Sequence, residues 1–256
     1  MSKLEIHMFP CLQDNYAYLL HDSEAAITAA VDTPDADAIL AVLRQKGWRL
    51  THILNTHHHA DHAGGNLRLK ERTGCQIIGP RADAARIPGI EIEVGEGDVF
   101  RLGSHRALVY DTPGHTRGHI VYFLPDDEAA FVGDTLFAMG CGRLFEGTPA
   151  QMWSSLQKIM SLPETTRLYC GHEYTQANAR FALTVEPRNQ ALIERAAEVD
   201  RLRAERKPTI PTTLRLEIAT NPFLRPASTD LQETIGLRGA GEVAVFAKTR
   251  ALKDAF

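Results

Sequence analysis

The chain has 256 residues, of which 44% are hydrophobic and 23% are charged, and its formal net charge is −4. This composition is typical of a globular protein with one large or two smaller domains. A slightly acidic chain has no basic surface for nucleic acid, and no segment approaches the ~20 apolar residues that span a bilayer, so we expect neither partner.

Two further features bear on location. The N-terminus alternates apolar and polar residues and lacks the apolar core of a secretory signal. The cysteines are scattered without a paired motif, which is typical of reduced thiols in a cytoplasmic protein; they are Cys11, Cys75, Cys141 and Cys170. We therefore expect a cytoplasmic location, and we expect a monomer.

The first two thirds of the chain alternate short apolar segments with helical patterns, and these predict an α+β fold of two sheets with helices outside. Thr33-Pro34 predicts the start of one helix, which Gly47 ends, and Thr148-Pro149 predicts the start of another. Strands are predicted over residues 3–8, 15–21, 26–32, 51–55, 76–78, 106–111, 119–124, 129–133 and 167–170.

Beyond residue 172 the strand pattern disappears, which predicts a mostly helical second domain over 173–256 after a first domain over 1–172. Helices are predicted over 174–185 and 188–206, divided at Glu186-Pro187 because a residue before proline avoids helix. A last helix is predicted over 239–254. It carries a stripe that begins apolar and ends cationic, formed by Val243, Phe246, Arg250 and Lys253.

The segment from His57 to His62 holds four histidines and one aspartate in six positions. It follows a predicted strand and precedes Gly64-Gly65, so its side chains are held by ordered elements on both sides. A mixed set of neutral imidazole nitrogens and carboxylate oxygens suits zinc, iron or manganese better than calcium or magnesium. A polar loop or a fortuitous histidine tract is the alternative, but such tracts are homopolymeric and terminal. The segment therefore predicts a metal site.

Three later segments repeat one design, in which a predicted strand is followed by glycine and a ligand residue. They present His115, Asp134 and His172. Each alone is a weak signal, since a Gly-Asp or Gly-His pair is usually a surface turn. Together with the first segment they supply the ligands that a second metal ion would need.

This set of residues resembles the metallo-β-lactamase superfamily, and within it the hydroxyacylglutathione hydrolases, or glyoxalases II. The narrower resemblance depends on three stretches, residues 140–147, 170–175 and 221–225. It implies a four-layer αββα sandwich with a C-terminal, mostly helical domain. It also implies the hydrolysis of glutathione thioesters such as S-D-lactoylglutathione to glutathione and a 2-hydroxy acid, the second step of methylglyoxal detoxification.

The resemblance implies two divalent metal ions, zinc in the first place with iron or manganese as alternatives. The first ion would be bound by His57, His59 and His115, and the second by Asp61, His62 and His172. Asp134 would bridge them. A hydroxide bridging the ions would attack the thioester carbonyl, with Asp61 and Asp134 lowering the net charge of the site.

The same resemblance assigns substrate contacts to Arg143, Phe145, Tyr174, Arg250 and Lys253. From the sequence alone, Arg250 and Lys253 are explained as well by the preference of cations for a helix C-terminus. Many relatives have tyrosine at the position of Phe145 and lysine at that of Arg143. Because Phe145 lacks a hydroxyl, we expect modestly weaker or altered glutathione recognition with unchanged chemistry.

The other histidines receive weaker interpretations. His119 is either a residue that orients a metal ligand or a polar residue entering the next strand. We expect His58 to face outward. The remaining histidines are expected to be structural or surface residues: His7, His21, His52 and His105.

Four other functions use similar residues. A persulfide dioxygenase would use one iron and consume oxygen, and a flavodiiron oxygen reductase would have glutamate where His59 stands. A lactone or β-lactam hydrolase would not need the C-terminal cations. A metal-free binding protein would not need to keep Asp61 and Asp134.

Overall fold

The computed structural model describes residues 4–256, so residue 3 of the predicted first strand lies outside the described part. The chain folds into two compact units. The first unit runs to Asp111 and resumes over Arg117–Gly133. The second unit consists of Thr112–Thr116 and Asp134–Phe256.

The first unit contains ten strands and three α-helices among its described residues. In chain order these are β1 Glu5–Cys11, β2 Asn15–Asp22, β3 Ile27–Val31, α1 Ala36–Lys46, β4 His52–Leu54, α2 Ala60–Ala63, α3 Asn66–Thr73, β5 Gln76–Pro80, β6 Ile92–Val94, β7 Val99–Leu102, β8 His105–Asp111, β9 Ile120–Leu124 and β10 Ala129–Gly133. Short 3₁₀ turns occupy Arg81–Arg86 and Pro125–Asp127.

One sheet follows chain order from β1 to β6. β1 pairs with β2, and β2 with β3, in antiparallel fashion. From β3 to β6 the neighbouring strands are parallel and are joined by crossovers. Parallel strands need such crossovers, and α1 and α3 supply two of them. Leu19, Ile53 and Ile77 pack against Ile39 of α1 and Leu69 of α3, because every second residue of a strand faces the same side.

The second sheet of this unit contains β7, β8, β9 and β10 in antiparallel pairs. The rings of Tyr18 on β2 and Phe131 on β10 meet edge to face, with centroids 5.4 Å apart, so the two sheets face each other. The first unit thus contains two facing sheets, with α1 and α3 on the outer side of the first sheet.

The start of α1 differs from the prediction. Its N-cap is Asp35, whose carboxylate accepts hydrogen bonds from the backbone of Asp37 and Ala38, and the helix begins at Ala36. Thr33 is not the cap because its hydroxyl donates to Asn66 Oδ1 at 2.7 Å. Gly47 ends the helix with φ 68°, as predicted.

Two strands of this unit are missing from the sequence-based prediction. β6 has three residues and β7 has four, and both lie beside the glycines of residues 95–97. These glycines predict a turn, and the strands on either side are too short to show an alternating pattern of their own. β7 forms because Val99 to Leu102 pair in register with Leu108 to His105.

The second unit contains most of the helices. In chain order its elements are β11 Leu136–Phe137, β12 Gly140–Cys141, α4 Pro149–Met160, β13 Arg167–Cys170, α5 Thr175–Val185, α6 Gln190–Ala204, β14 Thr212–Thr213, α7 Leu214–Thr220, α8 Thr229–Thr234 and α9 Glu242–Asp254, with a 3₁₀ turn at Pro222–Leu224. Thr148 caps α4 in a capping box with Gln151, and Pro149 takes the first position, as predicted.

The last helix begins later than predicted. Gly239 has φ 76° and Gly241 is the N-cap, so α9 starts at Glu242 rather than at residue 239. Its predicted stripe is also only partly right. Phe246 and Arg250 are buried, whereas Val243 is 42% exposed.

Candidate metal centre

The first group of predicted ligands follows β4. Thr56 is fixed at its start, since its backbone N–H and its hydroxyl both donate to the carboxylate of Asp32, each at 2.8 Å. The short helix α2 then carries Asp61 and His62. His57 and His62 are buried, and His59 and Asp61 are partly exposed.

Within this group the imidazoles approach closely. His57 Nε2 lies 3.0 Å from His59 Nδ1, close enough for both nitrogens to coordinate one cation. His62 Nε2 lies 3.6 Å from Asp61 Oδ2. The spacing of two residues between His57 and His59 therefore does bring their rings together.

Asp32 is a residue of the candidate site that the sequence analysis missed. Its Oδ2 accepts from His62 Nδ1 at 2.8 Å and from the Thr56 hydroxyl. Because that hydroxyl proton points to Asp32, the 3.0 Å contact between Thr56 Oγ1 and His57 Nδ1 has the imidazole as donor. Asp32 thereby places the protons of both His57 and His62 on Nδ1, which leaves Nε2 of each ring with the lone pair that a metal needs.

A signal for Asp32 was present in the sequence. It stands at the end of a strand, as the predicted ligands do, but no glycine precedes it. Asn15 was also missed. This buried side chain donates from Nδ2 to both the backbone oxygen and Oδ2 of Asp61, each at 3.2 Å. It holds Asp61 in place from the hairpin between β1 and β2.

The prediction that His58 faces outward is wrong. Its Nδ1 lies 3.0 Å from Oδ2 of the buried Asp83, and its Nε2 lies 3.2 Å from Nη1 of Arg86. Asp83 and Arg86 come from a 3₁₀ turn 25 residues further along the chain, so local alternation could not reveal the contact.

His119 is completely buried immediately before β9. Its ring stacks on that of His57, with centroids 4.9 Å apart and an angle of 26°. This contact favours the first of its two interpretations, a residue that orients a metal ligand.

The second group of predicted ligands lies in the second unit. Asp134 Oδ2 is 3.5 Å from His115 Nε2 and 3.5 Å from His172 Nε2. His115 Nδ1 donates to the carbonyl of Arg143 at 3.0 Å, so its Nε2 carries the lone pair. One carboxylate oxygen thus lies at the same distance from the Nε2 atoms of two imidazoles.

Aromatic rings cover these imidazoles. Tyr174 stacks in parallel on His172, with centroids 4.7 Å apart, and Phe145 meets His115 at 5.2 Å. Phe145 is 62% exposed, so its ring is accessible to a ligand.

The predicted substrate cations occupy different environments. Arg143 is exposed, whereas Arg250 is buried, donates to the carbonyl of Cys141 at 2.8 Å and pairs with Asp254. Lys253 lies over the rings of Phe181 and Phe256. Desolvation lowers the pKa of Lys253, and the positive charges of Arg250 and Arg143 lower it further.

The cysteines offer no accessible nucleophile, since all of them are buried, and none forms a disulfide. Cys170, beside the His172 turn, is buried as predicted. Burial raises the pKa of its thiol, and that of Cys141 to about 11. Over residues 4–256, no helix combines the length and apolarity needed to cross a bilayer.

Comparison with known proteins identifies two family profiles. Residues 15–172 match the metallo-beta-lactamase superfamily, and residues 173–256 match the hydroxyacylglutathione hydrolase C-terminus. Among individual relatives, the hydroxyacylglutathione hydrolase of Maricaulis maris is 55% identical over 256 residues, with 100% of both chains covered. That of Brucella ovis is 56% identical, covering 100% of this chain and 99% of the relative.

A solved structure gives a third comparison. TTHA1623, crystallised in a di-iron-bound form, superimposes with a TM-score of 0.61 and is 26% identical, over 86% of this chain and 100% of that one. The predicted fold class is confirmed: an α+β fold of the metallo-β-lactamase type with a helical C-terminal region. Both profiles and the full-length relatives agree that the chain belongs to the hydroxyacylglutathione hydrolases of the metallo-β-lactamase superfamily.

Proposed function

We propose that this protein hydrolyses glutathione thioesters of the S-D-lactoylglutathione type to glutathione and a 2-hydroxy acid, the second step of methylglyoxal detoxification. The observation that carries the proposal is the similarity, over the whole chain, to relatives named hydroxyacylglutathione hydrolase. The C-terminal profile adds support, because it covers the region that carries Arg250 and Lys253.

The donor set fits two divalent metal ions, with zinc first and iron or manganese as alternatives. We assign His57, His59 and His115 to one ion, Asp61, His62 and His172 to the other, and Asp134 to both. This assignment rests on the superfamily profile, which spans all of these residues, and on the geometry inside each group. The di-iron form of TTHA1623 supports a two-ion occupancy.

When bound, such a pair of ions supplies hydroxide at neutral pH and stabilises negative charge on the thioester oxygen. The residues of the chain prepare this chemistry. Asp32, through Thr56 and directly, keeps Nε2 of His57 and His62 unprotonated. Asn15 holds Asp61 through one hydrogen bond to its backbone oxygen and one to its carboxylate. The sulfur leaves as a thiolate, so the reaction needs less help from a general acid than amide hydrolysis does.

The substrate's glycine carboxylate would be bound by cations of the second unit. Desolvation lowers the pKa of Lys253, and the charges of Arg250 and Arg143 lower it further against the opposing charge of Asp254, so the three cations lie near one another. A group of cations attracts a carboxylate. Tyr174 and Phe145 offer ring surfaces beside His172 and His115 for the tripeptide. We propose residues 1–172 as the metal domain and 173–256 as the glutathione-recognition domain.

Metal analysis coupled to an assay with lactoylglutathione tests this function. The wild type should hold two ions per chain and hydrolyse the thioester, and Asp134→Ala should lose both properties. Asp230→Ala is the control, because this carboxylate lies on the surface and pairs with Arg188. Full activity of Asp134→Ala would contradict the mechanism, and oxygen uptake with glutathione persulfide would favour the dioxygenase instead. A cytoplasmic location and a monomeric state stay predictions from the sequence.

A further inference from the structure

A small buried hairpin separates two residues of the proposed site. Its strands β11 and β12 pair Leu136 with Cys141 and Phe137 with Gly140. It begins two residues after Asp134 and ends two residues before Arg143. All of its residues are buried, so its turn and edge backbone groups need partners inside the protein.

Side chains from the helical region supply those partners. Asn221 Nδ2 donates to the carbonyls of Phe137 at 3.0 Å and Gly140 at 2.9 Å. Glu217 Oε2 accepts from the backbone N–H of Met139 at 2.7 Å. These three contacts reach both strands of the hairpin and the turn between them. Neither Asn221 nor Glu217 has any exposed surface.

Two more side chains complete the arrangement. Asn178 Nδ2 donates to the carbonyl of Ala138 at 3.1 Å, and Arg250 Nη1 donates to that of Cys141 at 2.8 Å. A Cβ at Gly140 would overlap the amide of Asn178, so the backbone and this side chain are in close contact. Every residue from 137 to 141 thus has a backbone group bound by a side chain of residues 178–250.

Asn221 and Glu217 are also bound to each other. Asn221 Nδ2 lies 3.1 Å from Glu217 Oε2, and its Oδ1 accepts from the backbone N–H of Phe223. Thr212 donates to Glu217 Oε1 at 2.7 Å. Asn221 and Glu217 are therefore fixed by Phe223 and Thr212 as well as by the hairpin, so they support the hairpin rigidly.

A displacement of the hairpin would move Asp134 and the His115 ring, because both contact its ends. The backbone N–H of Gly142 donates to the carbonyl of Thr135 at 3.3 Å, which joins the two ends of the hairpin beside Asp134. A Cβ at Gly142 would overlap the carbonyl of Asp134 and approach His115 Nδ1. The next residue, Arg143, provides the carbonyl that holds His115 Nδ1.

We propose that Asn221 and Glu217 are positioning residues for metal binding, because they hold the hairpin that sets the places of Asp134 and of the His115 ring. The inference rests on the proposed function in one respect, the assignment of Asp134 and His115 as ligands. The proposal gives Asn221, the first residue of the segment 221–225, the role of holding this hairpin. The C-terminal region then serves the metal ligands as well as the substrate.

The test uses Asn221→Asp in the full chain. Aspartate keeps the acceptor for Phe223 and removes the donors to Phe137 and Gly140. We expect metal affinity, measured by competition with a chelator and without substrate, to fall by up to ~10-fold, because Asn221 acts through the hairpin whereas direct partners of a metal ligand contribute ~10–100-fold. Activity with lactoylglutathione at saturating zinc should fall in kcat more than it changes in KM.

Asn189→Asp is the matched control. Asn189 likewise caps a helix through Oδ1 and donates from Nδ2 to a backbone carbonyl, that of Ala219 at 3.0 Å, but it does not contact the hairpin. We expect it to lower the unfolding temperature and to leave metal affinity unchanged. Wild-type metal affinity in a folded Asn221→Asp protein would overturn the proposal, and so would an equal loss of affinity in Asn189→Asp.

Two further variants cover the case in which Asn221→Asp does not fold. Asn178→Asp removes the donor to Ala138 and places a carboxylate against that carbonyl, so it should displace the same hairpin and weaken metal binding by a smaller factor. Unchanged affinity would show that the hairpin does not set the places of the ligands and would overturn the proposal. Asn221→Asp combined with Glu217→Gln removes the repulsion between the two acids and should recover part of the affinity. A wild type that binds two ions without hydrolysing thioesters would refute the proposed function alone, since the affinity comparison needs no substrate.

Discussion

Asp32 Oδ2 accepts a hydrogen bond from His62 Nδ1 at 2.8 Å, and this contact determines which nitrogen of His62 can bind a metal. The same carboxylate acts on His57 through the hydroxyl of Thr56. One buried aspartate therefore controls the tautomers of two proposed ligands, each assigned to a different ion. A carboxylate that accepts a hydrogen bond from one imidazole nitrogen also makes the other nitrogen a more basic metal ligand.

Replacing Asp32 by asparagine should weaken metal binding by ~10–100-fold, because an amide is a poorer acceptor for imidazole N–H than a carboxylate is. Chelator competition measures the change. Asp22→Asn is the matched control, since Asp22 is another buried aspartate near a histidine, with its Oδ2 3.8 Å from His105 Nε2. Equal losses in both variants would show that general destabilisation is the cause.

Phe145→Tyr should lower KM for lactoylglutathione by about twofold to tenfold, because one added neutral hydrogen bond contributes ~0.5–1.5 kcal/mol. The exposed ring beside His115 allows a hydroxyl to reach a bound ligand. We expect kcat to stay the same. Phe100→Tyr controls for the added hydroxyl, since the Phe100 ring also meets a histidine edge to face, that of His52. An unchanged KM in Phe145→Tyr would contradict the role given to this position.

Lys253 should make substrate binding depend on pH. Burial and the neighbouring Arg250 and Arg143 lower its pKa below the usual 10.5, while Asp254 opposes the shift. As pH rises through this lowered value, Lys253 loses its charge and KM should rise. Lys253→Arg, which stays protonated, should keep a low KM to higher pH. Steady-state kinetics across alkaline pH measure both curves, and identical curves would exclude Lys253 from carboxylate binding.

Glu217 should destabilise the fold at neutral pH relative to glutamine. Desolvation raises its pKa above the usual 4.5, so the folded protein holds this proton more tightly than the unfolded chain does. Its contribution to stability is present below 4.5 and is lost as pH rises through the folded pKa.

Glu217→Gln cannot titrate, and its amide can donate to Thr212 while its oxygen accepts from Met139 and Asn221. Urea unfolding should therefore find the variant increasingly more stable than the wild type as pH rises above 4.5. Glu217→Met should lose stability at every pH, because a buried N–H without an acceptor costs ~1–3 kcal/mol. A difference between glutamate and glutamine that is independent of pH would refute the assigned shift.

The sequence by itself determined the fold class, most strands and the set of residues that we propose as metal ligands. These depend on short-range features: alternation along a strand, the spacing of His57 and His59, and glycine before Asp134 and His172. The end of α1 at Gly47 and the start of α4 at Thr148 are equally local, because a cap involves residues a few positions apart.

Only the tertiary structure decided which residues support those ligands. Asn15 reaches Asp61 across 46 positions, and Asn221 reaches the hairpin across more than 80. His58 turned inward for the same reason, since its partner Asp83 comes from a distant turn. A buried amide or carboxylate looks like any polar residue in a sequence, and its partner is set by strand register and helix packing rather than by its neighbours in the chain.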